Sequence, residues 1–159
     1  MEGAGDACVH VTVDKARRTL EIWDGERLLH SARAALGASP VGAKRAQGDG
    51  KTPEGVYHIC LVKEKGKYGR SLGLDYPGEE DARLAFTEGR IDRDALDAIL
   101  LAHEQRRRPP WGTALGGEIY LHEGGAASDW TAGCVALEPA DMDALFAVRD
   151  LVREVRIRP

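Results

Sequence analysis

The stretch EIYLHEGGAASDWTAGCVALEP, residues 118–139, carries the strongest signals in the chain for local structure and for chemistry. Its opening EIYLHE is an apolar run typical of a strand, and His122 stands near the end of that run. A glycine-rich segment follows, then Cys134 directly after Gly133, then Pro139, a residue typical of the first turn of a helix. The stretch therefore predicts a strand, a loop and a helix, with a histidine before the loop and a cysteine after it.

Two interpretations of Cys134 compete. Free cysteine is among the residues most often buried, so Cys134 is either a small core residue or a nucleophile. A thiol with a pKa of about 8.5 is only slightly ionised at neutral pH, and the imidazole of His122 would take its proton. Gly133 lacks a Cβ, so the backbone can direct the amides of Ala132, Gly133 and Cys134 at an oxyanion. The spacing of His122 and Cys134 alone does not decide between the two interpretations.

Outward from this stretch, the pattern predicts a mostly β domain of the α+β class that spans residues 1–159 without a linker. Residues 8–14 alternate between apolar and polar, which is typical of a strand. The turn signal Asp24-Gly25 predicts a hairpin that pairs residues 19–23 with residues 26–35. One further strand is predicted over residues 56–64, and its shared face is expected to hold Val56, His58, Cys60 and Val62.

Two helices are predicted. Residues 92–107 have apolar residues at helical spacing, Asp92 as a plausible N-cap and prolines just beyond the end. Residues 139–152, directly after the Cys134 segment, form the second helix. Glycine and proline predict loops over residues 37–55 and again before the first helix.

Composition and charge exclude several classes of function. The chain has 159 residues and a net charge of −4, which gives no reason to expect a nucleic-acid partner. Its three cysteines form no disulfide framework, and no two histidines or cysteines have metal-ligand spacing, so no metal is expected. Neither glycine-rich stretch matches a phosphate-binding loop, so no nucleotide cofactor is expected. No apolar run is long enough to span a membrane, and residues 1–11 lack the features of a secretory signal.

The segment IYLHEGG…SDWTAGCVALEPADMDALF resembles the signature of the L,D-transpeptidase family, the YkuD-type catalytic domain. That signature is a strand ending in His, a variable loop, and Ser/Thr-x-Gly-Cys followed by an aliphatic residue. The resemblance extends from about Val9 to Ile157, because HVTVDKARRTLEIWDGERLLHSARAALG resembles the opening strands and GDGKTPEGVYHI the Thr-Pro-x-Gly element. RSLGLDYPGEEDA, TALGGEIYLHEGG and the DWTxGC form resemble a murein-trimming subgroup. The resemblance implies a YkuD-like β-sandwich of mixed sheets with two helices, one after the catalytic cysteine.

For activity, the resemblance implies acyl transfer on peptidoglycan stem peptides without a cofactor or a metal. Cys134 would attack the carbonyl of the L-centre of the diamino acid at stem position three, and the terminal D-residue would leave. An amine of a second stem, or water, would then resolve the thioester. His122 would serve as general base and acid, and the amides from Ala132 to Cys134 would form the oxyanion hole.

Three functions remain open at this point. Transfer of the acyl group to an amine makes an L,D-transpeptidase. Transfer to water makes an L,D-carboxypeptidase, or a hydrolase of peptidoglycan crosslinks or of peptidoglycan–protein links. The third function is a non-catalytic cell-wall-binding domain that keeps the fold. Since peptidoglycan lies outside the cytoplasmic membrane, all three imply the periplasm or cell envelope.

The chain departs from the family pattern at three positions near the site. Ala136 stands where the family often has Arg, Ala132 where it often has a second His, and Glu123 where it commonly has Gly. An arginine so close to the nucleophile would suit a substrate carboxylate, so Ala136 predicts a change in specificity. The cations that are candidates for the carboxylate-binding role are Lys44, Arg45, Lys51 and Arg70, with Lys51 and Arg70 retained as substrate-binding residues.

Four further residues receive provisional roles. The imidazole of His122 needs an acceptor on its second nitrogen, and the candidates are the Asp129 carboxylate and a backbone carbonyl. Thr131 either hydrogen-bonds near the thiolate or closes a local turn. Trp130 and Tyr76 are expected to line the substrate groove, and the alternative for Trp130 is to cover a small core.

Overall fold

The computed structural model describes residues 8–159, which form nine strands in two sheets and three helices. The strands are β1 (Val9–Asp14), β2 (Thr19–Asp24), β3 (Arg27–Arg33), β4 (Gly55–Tyr57), β5 (Ile59–Gly66), β6 (Gly69–Leu74), β7 (Tyr120–Glu123), β8 (Val135–Leu137) and β9 (Val152–Arg158). The helices are α1 (Glu79–Thr87), α2 (Arg93–Glu104) and α3 (Pro139–Ala147). None of these helices is both long and apolar enough to cross a membrane.

The first sheet has the strand order β3-β2-β1-β9-β4. Strand β1 runs antiparallel to β2 and parallel to β9, with Val11 opposite both Ile22 and Val155. Alternate residues of β1 are buried, as the period of two in the sequence predicted. The β2–β3 hairpin confirms the Asp24-Gly25 turn signal.

The second sheet has the order β5-β6-β7-β8, with antiparallel pairs except for the parallel pair β7 and β8. One face of this sheet contributes Leu72, Leu121 and Val135 to the core, which it shares with β1, β2 and β9 of the first sheet. Both sheets are therefore mixed or contain a mixed edge, and the predicted fold class, a mostly β sandwich of the α+β class, is confirmed.

The predicted single strand over residues 56–64 is wrong. The chain forms two strands there, β4 and β5, which belong to different sheets. The break falls at His58, whose backbone amide donates to the Asp75 carboxylate at 2.7 Å, while the Asp75 amide donates to the His58 carbonyl at 3.0 Å. In β4 the buried side chain is Tyr57, which is 2% exposed, while Val56 is 53% exposed.

The predicted number of two helices is also wrong, since α1 is a third. Three acidic residues stand in its first turn, and Asp81 accepts a hydrogen bond from the Gly78 amide at 2.8 Å. Its buried residues are only Ala82 and Ala85, so the sequence shows no strong apolar periodicity there. Helix α2 confirms Asp92 as N-cap, with its side chain accepting from the Ala95 amide at 2.8 Å.

Helix α3 begins at Pro139 directly after β8, as predicted, and is shorter than expected. It ends at Ala147 rather than at residue 152, because β9 begins at Val152 and pairs with β1. Met142 and Leu145 of this helix are fully buried in the core. The helix therefore fixes the strand that follows Cys134 against the rest of the molecule.

Candidate active site

Parallel pairing of β7 and β8 brings Cys134 and His122 to one face of the second sheet. Across this ladder Leu121 lies opposite Val135, and His122 lies opposite Ala136. Cys134 directly precedes β8 and lies beside Tyr120, whose amide donates to Sγ at 3.3 Å. Since residues two apart on a strand share a face, Cys134 and His122 project from the face opposite the Leu121 and Val135 core. Both line a cavity of about 460 Å³, hereafter the active-site cavity.

The imidazole of His122 is buried and oriented by its own neighbour in sequence. Nδ1 donates to the backbone carbonyl of Glu123 at 2.5 Å, and the side chain is 2% exposed. Of the two acceptors that the sequence left open, the structure thus supplies the backbone carbonyl. A proton on Nδ1 leaves Nε2 as the basic nitrogen, and Nε2 is buried with no hydrogen-bond partner among the described residues.

Aromatic rings enclose this imidazole on two sides. Tyr68 stacks on it with ring centroids 4.9 Å apart, and Trp130 meets it edge-on at 5.6 Å. Burial lowers the pKa of His122, although its hydrogen bond to the Glu123 carbonyl acts in the opposite direction. The histidine is therefore neutral at neutral pH and is able to accept a proton on Nε2.

The thiol of Cys134 rests between two backbone groups. Sγ accepts from the Tyr120 amide at 3.3 Å and donates to the Glu118 carbonyl at 3.4 Å. Burial raises the pKa of Cys134, while the Tyr120 amide and the positive charge of Lys44 partly oppose that rise. Together with the lowered pKa of His122, this favours a neutral thiol and imidazole at rest, with proton transfer during attack on a substrate.

The turn before the cysteine is closed by Thr131. Its hydroxyl donates to the Cys134 carbonyl at 2.7 Å and accepts from the Gly133 amide at 3.1 Å. Gly133 has a φ of 142°, and a Cβ at that position would lie 2.7 Å from the carbonyl oxygen of Lys51, so only glycine fits. Because the Gly133 amide already donates to Thr131, an oxyanion hole at this turn would depend on the amides of Ala132 and Cys134, and their role stays a prediction.

Asp129 does not orient the imidazole, so that alternative is wrong. Its carboxylate accepts from the Arg18 guanidinium, with Nε at 3.0 and 3.1 Å from the two oxygens, and from the Leu36 amide at 3.0 Å. These hydrogen bonds to Arg18 and Leu36 lower the pKa of Asp129 against the effect of burial. Asp129 thus ties the loop between β7 and β8 to the first sheet.

Tyr76 lies outside the substrate groove, contrary to the prediction. Its ring is fully buried in the core, and its hydroxyl donates to the Leu115 carbonyl at 2.9 Å. The side chain of Lys51 is also directed away from the cavity, because Nζ donates to the Val41 carbonyl at 2.8 Å. Trp130 is 36% exposed and lies against the imidazole, so its role in substrate binding stays a prediction.

Arg70 is engaged in a clamp behind His122 rather than free to bind substrate. Its backbone amide and guanidinium make three hydrogen bonds to the Glu123 carboxylate, at 2.6 to 3.0 Å, and lower the pKa of that carboxyl. The guanidinium also donates to Asp143 at 2.6 Å and to the Pro139 carbonyl at 3.1 Å, both in α3. The Arg70 clamp joins the strand end that carries His122 to the helix that follows Cys134.

Ala136 occupies a site with no room for a larger side chain. It is fully buried with Ala35 and Ala126, and it exchanges two backbone hydrogen bonds of 2.9 Å with Ala35. An arginine here would have to displace this small cluster. The alanine is thus built into the packing of the site.

Several cavity residues carried no recognisable sequence signal. Ser71 lies opposite His122 in the β6–β7 ladder, and Tyr68 lies at the tip of the β5–β6 hairpin. Strand pairing brings both residues to the cavity, and the sequence does not reveal that pairing. The one signal that could have pointed to Tyr68 is an aromatic residue in a predicted hairpin turn. The remaining lining residues that the sequence did not single out are Gln47, Gly48, Lys63, Gly66, Lys67, Gly116, Gly117, Glu118, Ile119 and Tyr120. Among residues 8–159, no three His, Cys, Asp or Glu side chains are grouped to hold a metal ion.

The chain is similar in fold to several proteins of known structure. The chain is similar to the helical cell shape determining protein Pgp2 from Campylobacter jejuni, with 19% identity, a TM-score of 0.62, and 96% of this chain and 47% of that chain covered. It is similar to Bd1075 from Bdellovibrio bacteriovorus, with 19% identity, a TM-score of 0.58, and 98% of this chain and 49% of that chain covered. It is also similar to L,D-transpeptidase 1 from Mycobacterium tuberculosis, with 11% identity and a TM-score of 0.51. That similarity covers 96% of this chain and 62% of that chain.

At these identities the structural similarities show the fold, and the chain spans about half the length of Pgp2 and Bd1075. No curated protein sequence matches the chain. The YkuD family model, described as the L,D-transpeptidase catalytic domain, matches residues 9–157. Because this match spans nearly the whole chain, as the sequence resemblance implied, the chain belongs to the YkuD family of L,D-transpeptidase catalytic domains.

Proposed function

We propose that the protein is a cysteine L,D-transpeptidase that acts on peptidoglycan stem peptides through a thioester on Cys134. The observation that carries the proposal is the buried Nε2 of His122, which has no partner among residues 8–159 and lies in the same cavity as Cys134. Family membership supports the reaction class. The half-buried thiol lies at the cavity between two backbone groups, where an incoming carbonyl carbon would meet it.

The first half of the reaction forms the acyl-enzyme. Sγ of Cys134 attacks the carbonyl carbon at the L-centre of the diamino acid while its proton passes to Nε2 of His122. The Glu123 carbonyl holds Nδ1–H and stabilises the imidazolium that results. In this proposal the amides of Ala132 and Cys134 donate to the oxygen as it gains negative charge. Nε2–H then protonates the leaving amine of the terminal D-residue, and the thioester remains.

The second half transfers the acyl group to an acceptor. An amine of a second stem attacks the thioester carbon and gives a proton to Nε2, and the thiolate leaves and is reprotonated. The same steps with water make an L,D-carboxypeptidase, or a hydrolase of crosslinks or peptidoglycan–protein links. Action on assembled peptidoglycan places the protein in the periplasm or cell envelope.

The experiment that tests the proposal is incubation with purified tetrapeptide muropeptides and mass spectrometry of the products, with Cys134→Ala alongside. Crosslinked dimers or exchanged terminal D-amino acids are the expected result. Tripeptides alone would replace the transpeptidase by a carboxypeptidase. If neither forms with the wild-type protein and no adduct of Cys134 is found, the proposal fails in favour of a cell-wall-binding domain.

A further inference from the structure

The active-site cavity has a cationic lining. Three lysines line it, Lys44, Lys63 and Lys67, against one acidic side chain, Glu118. The ammonium groups of Lys63 and Lys67 lie over the rings of Tyr120 and Tyr68, at 4.9 and 5.3 Å from the ring centroids. This balance of charge suits a substrate that carries carboxylates.

Lys44 differs from the other two lysines because it is buried and fixed. Its side chain is 4% exposed, and Nζ donates to the Ala46 carbonyl and to Asp49 Oδ1, each at 3.1 Å. An ammonium has three N–H donors, so one remains without an acceptor among the described residues. The positive charge of Lys44 also acts on the Cys134 thiol, where it favours the thiolate.

Asp49 builds the loop that holds Lys44 in place. One of its oxygens accepts from the Lys51 amide at 3.1 Å as well as from Lys44, and the other accepts from the amides of Arg45 and Ala46 at 2.8 and 3.0 Å. These backbone hydrogen bonds lower the pKa of Asp49 against the effect of burial. Because all four acceptor positions of the carboxylate are filled, Asp49 positions Lys44 without competing for its remaining donor.

The other candidate cations are engaged elsewhere. Arg45 pairs with Glu88, Lys51 donates to the Val41 carbonyl, and the guanidinium of Arg70 is held by Glu123 and Asp143. None of these three lines the active-site cavity. Of the four cations that the sequence offered as a replacement for arginine at Ala136, only Lys44 reaches the cavity.

We propose that Lys44 is the specificity-determining residue that binds a substrate carboxylate beside Cys134. The inference rests on the proposed function for its substrate, a peptide with a free carboxylate next to the bond that is cleaved. Two carboxylates of a stem peptide fit this description: the side-chain carboxylate of the diamino acid and the C-terminal carboxylate of the leaving D-residue. Lys44 binds either one as a point charge through its free N–H.

A first test needs no knowledge of the substrate. Cys134 is alkylated with anionic iodoacetate and with neutral iodoacetamide, and both rates are read from the Cys134 peptide by mass spectrometry. The quantity compared is the rate with iodoacetate divided by the rate with iodoacetamide. The thiolate fraction cancels in this ratio, so the ratio reports attraction of a carboxylate. In the wild type it should exceed the ratio of a cysteine in a short uncharged peptide. Lys44→Gln should lower it roughly fivefold, and Lys44→Arg should keep it.

The matched control is Lys51→Gln, which removes the same charge from the same loop outside the cavity. It should change the ratio by less than about twofold. An equal fall in Lys51→Gln, or an unchanged ratio in Lys44→Gln, overturns the inference. Should Lys44→Gln fail to fold, the wild-type ratio decides, and a value no higher than that of the reference peptide overturns the inference.

A second test separates the two carboxylates and the two proposals. Wild type and Lys44→Gln are given three tetrapeptides: the free acid, the side-chain amide of the diamino acid, and the C-terminal amide. If Lys44 binds one of the two carboxylates, the wild type should turn over the corresponding amide more slowly than the free acid. Lys44→Gln should turn over that amide and the free acid at similar rates, and this amide identifies the bound carboxylate. Equal discrimination by both proteins overturns the inference while the proposed function stands. If the wild type uses none of the peptides, the proposed function fails, and the alkylation ratio still decides the role of Lys44.

Discussion

Two cavities of this protein combine a cysteine with histidine, and they differ in how the imidazoles are used. The active-site cavity, of about 460 Å³, holds Cys134 and His122. A second cavity, of about 1060 Å³, is lined by Cys60, His58 and His103 among others. The larger cavity is therefore not the one that holds the family signature.

Each imidazole of the second cavity is hydrogen-bonded through one ring nitrogen, and the side chain of His58 is 58% exposed. Nε2 of His103 donates to the Pro77 carbonyl at 2.7 Å, and Nδ1 of His58 lies 3.2 Å from Asp75. The cysteine there lies on the edge strand β5, and burial raises the pKa of Cys60 to about 11. In the active-site cavity Nε2 of His122 has no partner among the described residues. We infer that a buried imidazole nitrogen without a partner among the described residues distinguishes the proposed catalytic pair from the pair in the second cavity.

The largest expected effect is loss of the nucleophile. Cys134→Ala should lower turnover of tetrapeptide by at least about 1,000-fold, because no thioester can form. Cys60→Ala is the matched control and should keep activity within about twofold. Product formation is followed by mass spectrometry. Full activity in Cys134→Ala, or its loss in Cys60→Ala, would reverse the assignment of the two cavities.

The second effect is loss of the base. His122→Gln should lower kcat by roughly 100- to 10,000-fold, because no group takes the proton from Sγ. His103→Gln removes an imidazole from the second cavity, where it acts in structure, and should leave kcat near the wild-type value. Steady-state kinetics with tetrapeptide decide the matter, and similar losses in both variants would contradict the distinction.

A smaller effect is expected at the Arg70 clamp. Arg70→Ala should lower kcat about tenfold, because Glu123 loses the partner that holds the carbonyl behind His122. The hydrogen bond to that carbonyl raises the pKa of His122, so its weakening should move the acid limb of kcat/KM to lower pH. Arg107→Ala, in the second cavity, is the control. A fall in activity with KM alone changed would return Arg70 to substrate binding.

The smallest and finest test concerns the pH dependence of alkylation. Burial raises the pKa of Cys134, so less of it is thiolate at neutral pH, and its rate with iodoacetamide should rise to a midpoint above the ordinary thiol value of about 8.5. Cys60 should show a midpoint of about 11. A Cys134 midpoint below pH 7 would instead show a resting thiolate–imidazolium pair.

Much of the fold could be predicted because it is written in local patterns. The period of two in residues 8–14, the Asp24-Gly25 turn and the Asp92 cap each identified an element. The predictions that were wrong concern contacts between residues distant in sequence, or elements with a weak sequence pattern. Strand 56–64 breaks because Asp75, distant in sequence, binds the backbone of His58. Helix α1 was missed because its buried face holds only alanines.

Some residues of the candidate site could also be predicted from the sequence, and others could not. Cys134 and His122 lie within one stretch, so spacing and family signature pointed to both before the structure placed them in one cavity. The roles of the charged residues could not be derived, since each depends on contacts across the fold. Asp129 binds Arg18 rather than His122, and Arg70 binds Glu123 rather than substrate. Tyr76 looked like a groove residue because sequence does not reveal which aromatic ring is buried.

Formation of a thioester on Cys134 is tested by intact-protein mass spectrometry after brief mixing with excess tetrapeptide and an acid quench. We expect a mass increase equal to the acyl group left when the terminal D-residue departs, located on the peptide that contains Cys134. The adduct should be absent in Cys134→Ala and should accumulate slowly in His122→Gln. Turnover without any adduct, or an adduct on Cys60 instead, would contradict the account.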